Sequence, residues 1–345
     1  MIQRIFHPMG QGAFYSERHD GFNIVYDCGE LFRSKRSERL VENSFKKGDK
    51  IDILFISHFD ADHINRIDIL KKFKIKKVIM PLLHDDEKNF LNHFYQAIRE
   101  NEIIQIFENP KLFFGRDTDI IYVNENSENN DINPDGISIE QLIDGSKISS
   151  GVSIKSILAD WVYIPFNNQS SVRKTDFKNR FRKKGLDIDK FQRELSYAMD
   201  NSTTIKEIYN ELKGGINSNS MIVYSGPINE RYSIEDFNCC FCFSSHKAGC
   251  IYTGDVNLNE VDIESIYKKY WNYVGTIQIP HHGSKLSFKI DPFIKKHCIC
   301  PLSYGNCNTF DHPSLNVLTQ LIAEYCRVKH VTEKVDTIYI QNIQH

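Results

Sequence analysis

The sequence predicts an α/β fold in which two β-rich halves stack as a two-layered sheet flanked by helices. Three observations lead to this prediction. Short apolar or alternating runs fill both halves of the chain, a segment with helical spacing separates the halves, and no internal repeat is visible. The length of 345 residues fits one large α/β domain or two smaller ones, and 41% hydrophobic with 26% charged residues is typical of globular proteins.

The first half consists mainly of predicted strands. Strands are expected at 2–7, 22–28, 51–57 and 75–80, where apolar runs are bounded by glycine and charged residues. A helix is expected at 85–99, with further strand material at 106–123. The polar, Asn-rich stretch at 124–134 predicts a loop.

The middle of the chain changes character before strands return. Residues 171–213 carry apolar residues at helical spacing, which predicts two or three helices. With the preceding loop they define an expected insertion at approximately 126–214. Further strands are expected at 221–224, 238–244, 249–253, 276–279, 298–303, 328–331 and 337–341, and a helix at 314–325 capped by Ser314.

Charge and cysteine content exclude several classes of protein. A net charge of −2 gives no general attraction to nucleic acid, so such contact must come from a local basic patch. No signal-peptide pattern and no apolar run of about 18 residues is present, so a cytoplasmic protein without a membrane span is expected. The nine cysteines lie mostly in apolar, strand-like runs, which favours small buried apolar residues over a metal or redox cluster.

The segment SHFDADH follows directly after the apolar run at 51–56. It places four metal-binding side chains, His58, Asp60, Asp62 and His63, within six residues at a strand end. Because side chains alternate along extended backbone, His58 and Asp60 can share a face while Phe59 points into the core. Imidazole with carboxylate suits Zn or Mn, and so many ligands from one loop indicate an open site with two metals.

Three later strand ends carry further candidates. Asp255 follows a strand in YTGD, His281 and His282 follow another in IPHHGS, and His312 precedes a helix in FDHPS. Taken alone, Asp255 would begin a turn and His312 would be a surface or capping residue. Adjacent histidines on a strand point to opposite sides, so one of His281 and His282 is expected on metal and the other toward substrate or behind the ligands.

Together HFDADH, TGD and PHHGS resemble the metallo-β-lactamase fold, especially the branch that contains the hydrolase domain of the competence protein ComEC, with HxDxDH in place of HxHxDH. The segments FHPMGQGAF, IVYDCG and SNSMIVY are also similar to that branch. The resemblance covers about 1–125 and 215–325. It implies a single four-layer αββα metallo-β-lactamase domain over 1–345, interrupted by the helical insertion.

The resemblance also implies a ligand set. His58 and Asp60 would hold one metal, Asp62 and His63 the other, and Asp255 would bridge both. His281 or His282 would supply the remaining ligand, with His281 preferred, and Asp27 would lie behind the ligands. Two departures weaken the first metal site: Ala13 stands where the branch has aspartate, and only His246 lies between 215 and 250 as a further ligand.

The expected activity is metal-dependent hydrolysis of a phosphodiester, as in a nuclease or phosphodiesterase, by water activated between two divalent ions, Zn or Mn. Asp62, His282 and His312 are the expected catalytic residues, and Ser284 and Lys285 are expected to contact phosphate. Two alternatives remain open. One is a hydrolase of a cyclic nucleotide, lactone or thioester, and the other is a binding module with weakened catalysis.

A basic stretch at 173–184 bears on the substrate. Arg180, Arg182 and Lys183 would contact a nucleic-acid backbone if this face binds phosphate. The competing interpretation, which we favour, is a solvated helix with Phe177 and Phe181 packed inward. The helical insertion is also an expected contact surface for a second copy of the chain or for another protein.

Overall fold

The computed structural model describes residues 1–125, 136–156, 160–169, 171–211, 219–235 and 246–345. Two mixed β-sheets pack face to face, and helices cover both outer faces. The predicted four-layer αββα arrangement is therefore confirmed. No helix within the described ranges is long and apolar enough to cross a membrane.

The strands vary from two to nine residues in length. In chain order they are Ile2–Phe6 (β1), Phe14–His19 (β2), Phe22–Cys28 (β3), Lys50–Phe55 (β4), Lys74–Pro81 (β5), Asp119–Val123 (β6), Ile137–Ser138 (β7), Lys147–Ile148 (β8), Ile154–Lys155 (β9), Trp161–Gln169 (β10), Asn219–Pro227 (β11), Ser233–Glu235 (β12), His246–Lys247 (β13), Gly249–Tyr252 (β14), Val274–Ile277 (β15), Ile299–Ser303 (β16), Arg327–Val331 (β17) and Tyr339–Gln344 (β18).

The α-helices are mostly short. In chain order they are Lys35–Glu42 (α1), Ala61–Ile64 (α2), Ile67–Leu70 (α3), Asp85–Ile98 (α4), Asn101–Glu108 (α5), Pro110–Phe114 (α6), Ser171–Lys183 (α7), Ile188–Arg193 (α8), Leu195–Asp200 (α9), Ser202–Glu211 (α10), Ile263–Ile266 (α11) and Leu315–Ala323 (α12).

The first sheet has the strand order β13-β12-β18-β1-β2-β3-β4-β5-β6-β8, and the second has β17-β16-β15-β14-β11-β10-β9-β7. Strands β3 to β6 run parallel, as do β14 to β17. The carboxyl ends of parallel strands meet at one edge of a sheet, which is where ligands bind in many α/β proteins. The loops that follow these strands carry the predicted site residues.

Strand β4 illustrates why this sequence forms a layered core. Its residues are buried on both faces, as expected for a central parallel strand. Ile53 and Phe55 face the second sheet, whereas Leu54 packs under the helices. Because neighbouring side chains point to opposite faces, one short apolar run contributes to two hydrophobic layers.

The structure differs from the expected elements in several places, and some expected elements fall outside the described residues. The segment expected as strand material at 106–123 is largely helical, because α5 and α6 occupy it up to Phe114 and only β6 is extended. Strands β7 to β10, which were not expected, belong to the sheets, and the helices expected within 171–213 are α7 to α10. The expected strand at 238–244, with Cys239, Cys240 and Cys242, lies outside the described residues, as does most of the loop at 124–134.

The four insertion helices pack on the outside of the first sheet. Phe181 is fully buried, and its ring lies 4.9 Å from that of Phe191. Phe191 in turn contacts Phe90 of α4 at 5.4 Å. The insertion therefore extends the helical layer over α4 and shares its apolar core.

Candidate metal centre

The metal-binding motif forms the turn between β4 and α2. The strand ends at Phe55, and Asp60 occupies the N-cap position of α2, so Asp62 and His63 lie in the first helical turn. Phe59 is buried, and its ring contacts that of Phe107 at 5.5 Å. This inward position of Phe59 anchors the turn, and the polar side chains on either side of it face the sheet edge.

One group of candidate ligands surrounds His58. The Nε2 atom of His58 lies 3.4 Å from Oδ2 of Asp60 and 3.9 Å from Oδ2 of Asp255. Nε2 of His63 lies 3.1 Å from Oδ1 of Asp255. Asp255 follows β14 in the second sheet, so its carboxylate reaches across to imidazoles held by the first sheet. A bridging position for Asp255 agrees with this arrangement.

A second group contains Asp62, His63 and His282, and their ligand atoms lie within 4.8 Å of one another. Nε2 of His282 is 3.1 Å from Oδ2 of Asp62. The other ring nitrogen of His282 is 2.9 Å from the carbonyl oxygen of Ser303, which holds the ring in place. His282 is buried among these candidate ligands, whereas His281 is only partly buried.

Asp27 contacts both Ser57 and His63 at the base of the candidate centre. Its carboxylate accepts hydrogen bonds from the backbone N–H and the hydroxyl of Ser57 at 2.7 and 2.6 Å, and lies 2.8 Å from Nδ1 of His63. A hydrogen bond at Nδ1 fixes the imidazole so that Nε2 faces the centre. Ser57 also contacts Nδ1 of His58 at 2.8 Å, so one hydroxyl supports two candidate ligands.

Charges in the centre are strongly coupled. Burial alone would raise the pKa of Asp255, but His281 and His63 hold that pKa well below its usual range. Burial would likewise raise the pKa of Asp62, and His63 with His282 lowers it. Burial opposes a charge on His63, yet Asp255 and Asp62 raise its pKa well above the usual value. The carboxylates are therefore anionic and pre-arranged for a positive partner.

His281 and His282 lie in a tight turn rather than on a strand. Strand β15 ends at Ile277, and φ is 46° at His281, 53° at His282 and 80° at Gly283. These left-handed values are uncommon for residues other than glycine and cluster at functional sites. A Cβ at position 283 would lie 2.8 Å from Cβ of Pro313, so glycine is required for the close approach.

The two histidines of this turn differ in solvent exposure. His281 is half-buried, with Nε2 3.8 Å from Oδ2 of Asp255 and Nδ1 3.0 Å from the hydroxyl of Ser287. His312 is also half-buried, and its ring lies 5.5 Å from that of His281. Both therefore stand on the solvent side of the centre, where a substrate would enter.

The remaining predicted contacts lie at different distances from the centre. Ser284 is buried in the turn and its N–H donates to the carbonyl of His281, whereas Lys285 is exposed. Arg180 contacts Glu211 at 3.5 Å, and neighbouring Lys184 contacts both Glu207 and Glu211. Arg182 and Lys183 are exposed.

These ion pairs lower the positive charge of the insertion face. Together with buried Phe181, they agree with the solvated-helix interpretation. The side chain of Phe177 lies outside the described residues.

The residues present fit divalent metals. Imidazole nitrogen and carboxylate oxygen are the ligand types of Zn and Mn sites. Nε2 of His58 is buried and makes no hydrogen bond within the described part of the chain. Since buried polar atoms normally find a partner, this nitrogen has the position of a ligand for an ion.

Some residues that hold the candidate ligands in place were not predicted from the sequence. Gln278 accepts hydrogen bonds from the N–H groups of Thr253 and Gly254 at 2.8 and 3.1 Å, which fixes the turn before Asp255. Ser220 accepts from the N–H of Asp255 at 3.1 Å. Ser57 directly precedes His58, so its place in the sequence could have indicated a supporting role. No local sequence pattern indicates such a role for Gln278.

No family model and no curated protein matches the chain. Solved structures that are similar to it include the metallo-β-lactamase fold protein YhfI from Bacillus subtilis (8% identity, 98% of this chain and 99% of that chain, TM-score 0.46). Others are human tRNase Z, short form (11%, 95% and 90%, TM-score 0.42), and the metallo-β-lactamase MIM-1 from Novosphingobium pentaromativorans (10%, 93% and 80%, TM-score 0.33). The roles proposed for individual residues follow from the geometry of this chain alone.

Proposed function

We propose that the chain is a metal-dependent hydrolase that cleaves phosphodiesters. One observation carries this proposal. Carboxylates and imidazoles from the two sheets lie within 4 Å of each other at one edge, and buried Nε2 of His58 has no hydrogen-bond partner among the described residues. Such a cluster is costly to bury unless a cation completes it.

Two groups of residues would hold the ions. His58, Asp60 and Asp255 would hold one, and Asp62, His63 and His282 the other, with Asp255 between them. When bound, two divalent ions lower the pKa of a water and offset negative charge on a phosphoryl oxygen. A ligand set rich in carboxylates favours Zn or Mn, and it supports phosphodiesters as the substrates.

The chain's own residues position these ligands. Asp27 and Ser57 orient the rings of His63 and His58, and the carbonyl of Ser303 orients His282. A ligand fixed from behind loses little freedom when an ion or substrate arrives, and this pre-organisation contributes to catalysis.

Two histidines are placed to handle protons. His281 and His312 lie on the solvent side, and Nδ1 of His281 lies 3.0 Å from the hydroxyl of Ser287. Its Nε2 is directed toward the centre, so His281 can donate a proton to the departing oxygen of the ester. In this assignment His282 binds metal and His281 acts on substrate, the reverse of the roles predicted from sequence.

Nucleic acid is the first substrate class to test. The exposed Arg182 and Lys183 provide a local positive charge on α7, although Arg180 and Lys184 are paired with acidic residues. If this face binds a phosphate backbone, Arg182→Glu with Lys183→Glu weakens binding, and the loss shrinks as salt is raised. The matched control is Lys46→Glu with Lys47→Glu, which changes two exposed lysines before β4.

A small phosphodiester is the second candidate. A cavity of about 250 Å³ lies next to the loop that carries His312. Asn308 lines this cavity and also holds His312, since its side chain contacts both the N–H and the carbonyl of His312. A cavity of this size favours a small ligand over a polymer, and the ion pairs that neutralise part of the charge on α7 also favour a small substrate.

The experiment compares substrates under one set of conditions. Wild type is incubated with labelled single- and double-stranded DNA, with RNA and with bis-nitrophenyl phosphate, each with Mn or Zn. We expect metal-dependent cleavage of at least one phosphodiester and its loss in Asp62→Ala. Asp52→Ala is the matched control, because Asp52 is a buried carboxylate at the opposite end of β4.

Activity that survives in Asp62→Ala, or that does not depend on added metal after chelation, would contradict the proposal. Binding of nucleic acid without cleavage of any substrate would favour the binding-module alternative. Cleavage of bis-nitrophenyl phosphate without cleavage of polymers would favour the small substrate.

A further inference from the structure

A second cluster of metal-binding side chains lies in the outer layer of the second sheet. Cys298 and Cys300 alternate at the start of β16, and Cys326 lies directly before β17. Strands β16 and β17 pair in parallel with Ile299 opposite Arg327, so Cys298 and Cys326 stand next to each other across the strands. All three thiols are buried under α12.

The sulfur atoms converge more than their backbone positions require. Alternate residues of a strand are about 6.6 Å apart along the chain. The Sγ atoms of Cys298 and Cys300 are nevertheless only 3.6 Å apart, and Sγ of Cys298 is 3.9 Å from that of Cys326. All three sulfurs lie within 4.8 Å of one another. The side chains therefore lean toward a common point.

These separations match metal coordination. In a tetrahedral site with metal–sulfur bonds of about 2.3 Å, two thiolates are about 3.8 Å apart. A disulfide would need about 2.0 Å, and all three cysteines are free. The sequence predicted buried apolar cysteines because the spacing of Cys298 and Cys300 is not that of a zinc site, but here the third sulfur comes from the neighbouring strand.

We propose that Cys298, Cys300 and Cys326 bind a thiophilic cation of the Zn²⁺ type. Three thiolates provide soft ligands, which select Zn²⁺ or Cu⁺ over the cations that prefer oxygen. Cys326 is the most exposed of the three at 7%, against 1% and 0%, so a fourth ligand from solvent enters on its side. The ion would pin the start of β16 to the junction between α12 and β17.

This site is independent of the hydrolytic centre, whose candidate ligands are all histidine and aspartate. That difference makes the two sites spectroscopically separable. Thiolate ligands give bound Co²⁺ an intense charge-transfer absorption in the near ultraviolet, and imidazole or carboxylate ligands do not. The full chain, stripped of metal with a chelator and kept reduced, is titrated with Co²⁺ and then with Zn²⁺.

We expect a charge-transfer band whose intensity at saturation corresponds to one thiolate-bound Co²⁺ per chain and which disappears when Zn²⁺ displaces it. Cys298→Ala and Cys326→Ala should each abolish the band. Two controls should retain it: Cys250→Ala, which changes a buried cysteine between the sheets, and His58→Ala, which alters the hydrolytic centre. Absence of the band in wild type, or its survival in Cys298→Ala, would overturn the proposal.

A second measurement uses wild type alone, in case the alanine variants do not fold. A mercurial reagent is added stepwise to the Zn²⁺-loaded chain, and released Zn²⁺ is followed with a coloured chelator. We expect one ion to be released only as the thiols react. If all thiols react without release of Zn²⁺, the cluster is ordinary apolar packing and the proposal is wrong.

Discussion

Substitution of Asp27 tests how the residues behind the centre hold His63 in place. Asp27→Asn keeps the size of the side chain but replaces one oxygen by an NH₂ donor. In wild type that carboxylate lies 2.8 Å from Nδ1 of His63 and accepts a hydrogen bond from the hydroxyl of Ser57 at 2.6 Å. The substituted amide faces two donors, so His63 is no longer held with Nε2 toward the centre.

The expected size of the effect follows from these contacts. A hydrogen bond to a charged group contributes about 1.5–3 kcal/mol, which corresponds to about 10- to 150-fold in a binding constant. Removal of a residue that supports a metal ligand typically lowers metal affinity about 10- to 100-fold, which agrees. We therefore expect Asp27→Asn to weaken metal binding by roughly one to two orders of magnitude.

In the assay, the metal-free chain is titrated with Mn or Zn. Metal binding is measured by calorimetry, and activity is measured as hydrolysis of a phosphodiester. Activity of Asp27→Asn should recover toward wild type as metal concentration is raised, because the ligands themselves are intact. Asp52→Asn is the matched control, since Asp52 is equally buried and contacts Asn23 and Lys76 far from the centre. Unchanged metal affinity in Asp27→Asn would refute the role assigned to Asp27.

Three further predictions follow from other parts of the structure. His282→Ala should lower bound metal by about one ion per chain, whereas His281→Ala should retain metal and lose turnover; equal metal loss in elemental analysis would contradict the assignment. Burial lowers the pKa of His7 from 6.5 to about 3, so only the unfolded chain gains this proton as pH falls below 6.5. Wild type should therefore lose about 2 kcal/mol more stability than His7→Asn between about pH 7 and about pH 5 in urea unfolding, and a constant difference would contradict this. Phe181→Ala should lower the free energy of unfolding by about 3–5 kcal/mol, whereas the exposed Phe32→Ala should lower it by under about 0.5 kcal/mol. Equal losses of stability would mean that the insertion does not share the core.

Strand ends were the part of the centre that the sequence could predict. A buried apolar run followed by HFDADH places ligands at a sheet edge, and Asp255 with His282 joins them because parallel strands end together. The roles of His281 and His282 could not be assigned, since the alternation rule holds for extended backbone and these residues have positive φ.

Two elements were misassigned for physical reasons. The stretch expected as strand material at 106–123 begins with apolar residues that suit either a strand or a helix, and packing of Phe107 against Phe59 accompanies its helical form. Strand β10 was not predicted, and it contains Pro165, a residue that normally argues against a strand inside a sheet. Pro165 pairs with Val223 of β11 but lies beyond the two residues that pair with β9, so the missing N–H breaks no ladder on that side.

The pairing of β1 with β18 has a consequence for synthesis. Ile2 lies opposite Ile343, so the strand that completes β1 is made 341 residues later. At about 5–20 residues per second, a ribosome needs roughly 17–70 s to make the intervening chain. Throughout that time the edge of β1 is open to pairing with another chain. Slower translation should therefore lower the yield of correctly folded protein, and a chaperone that covers this edge should restore it.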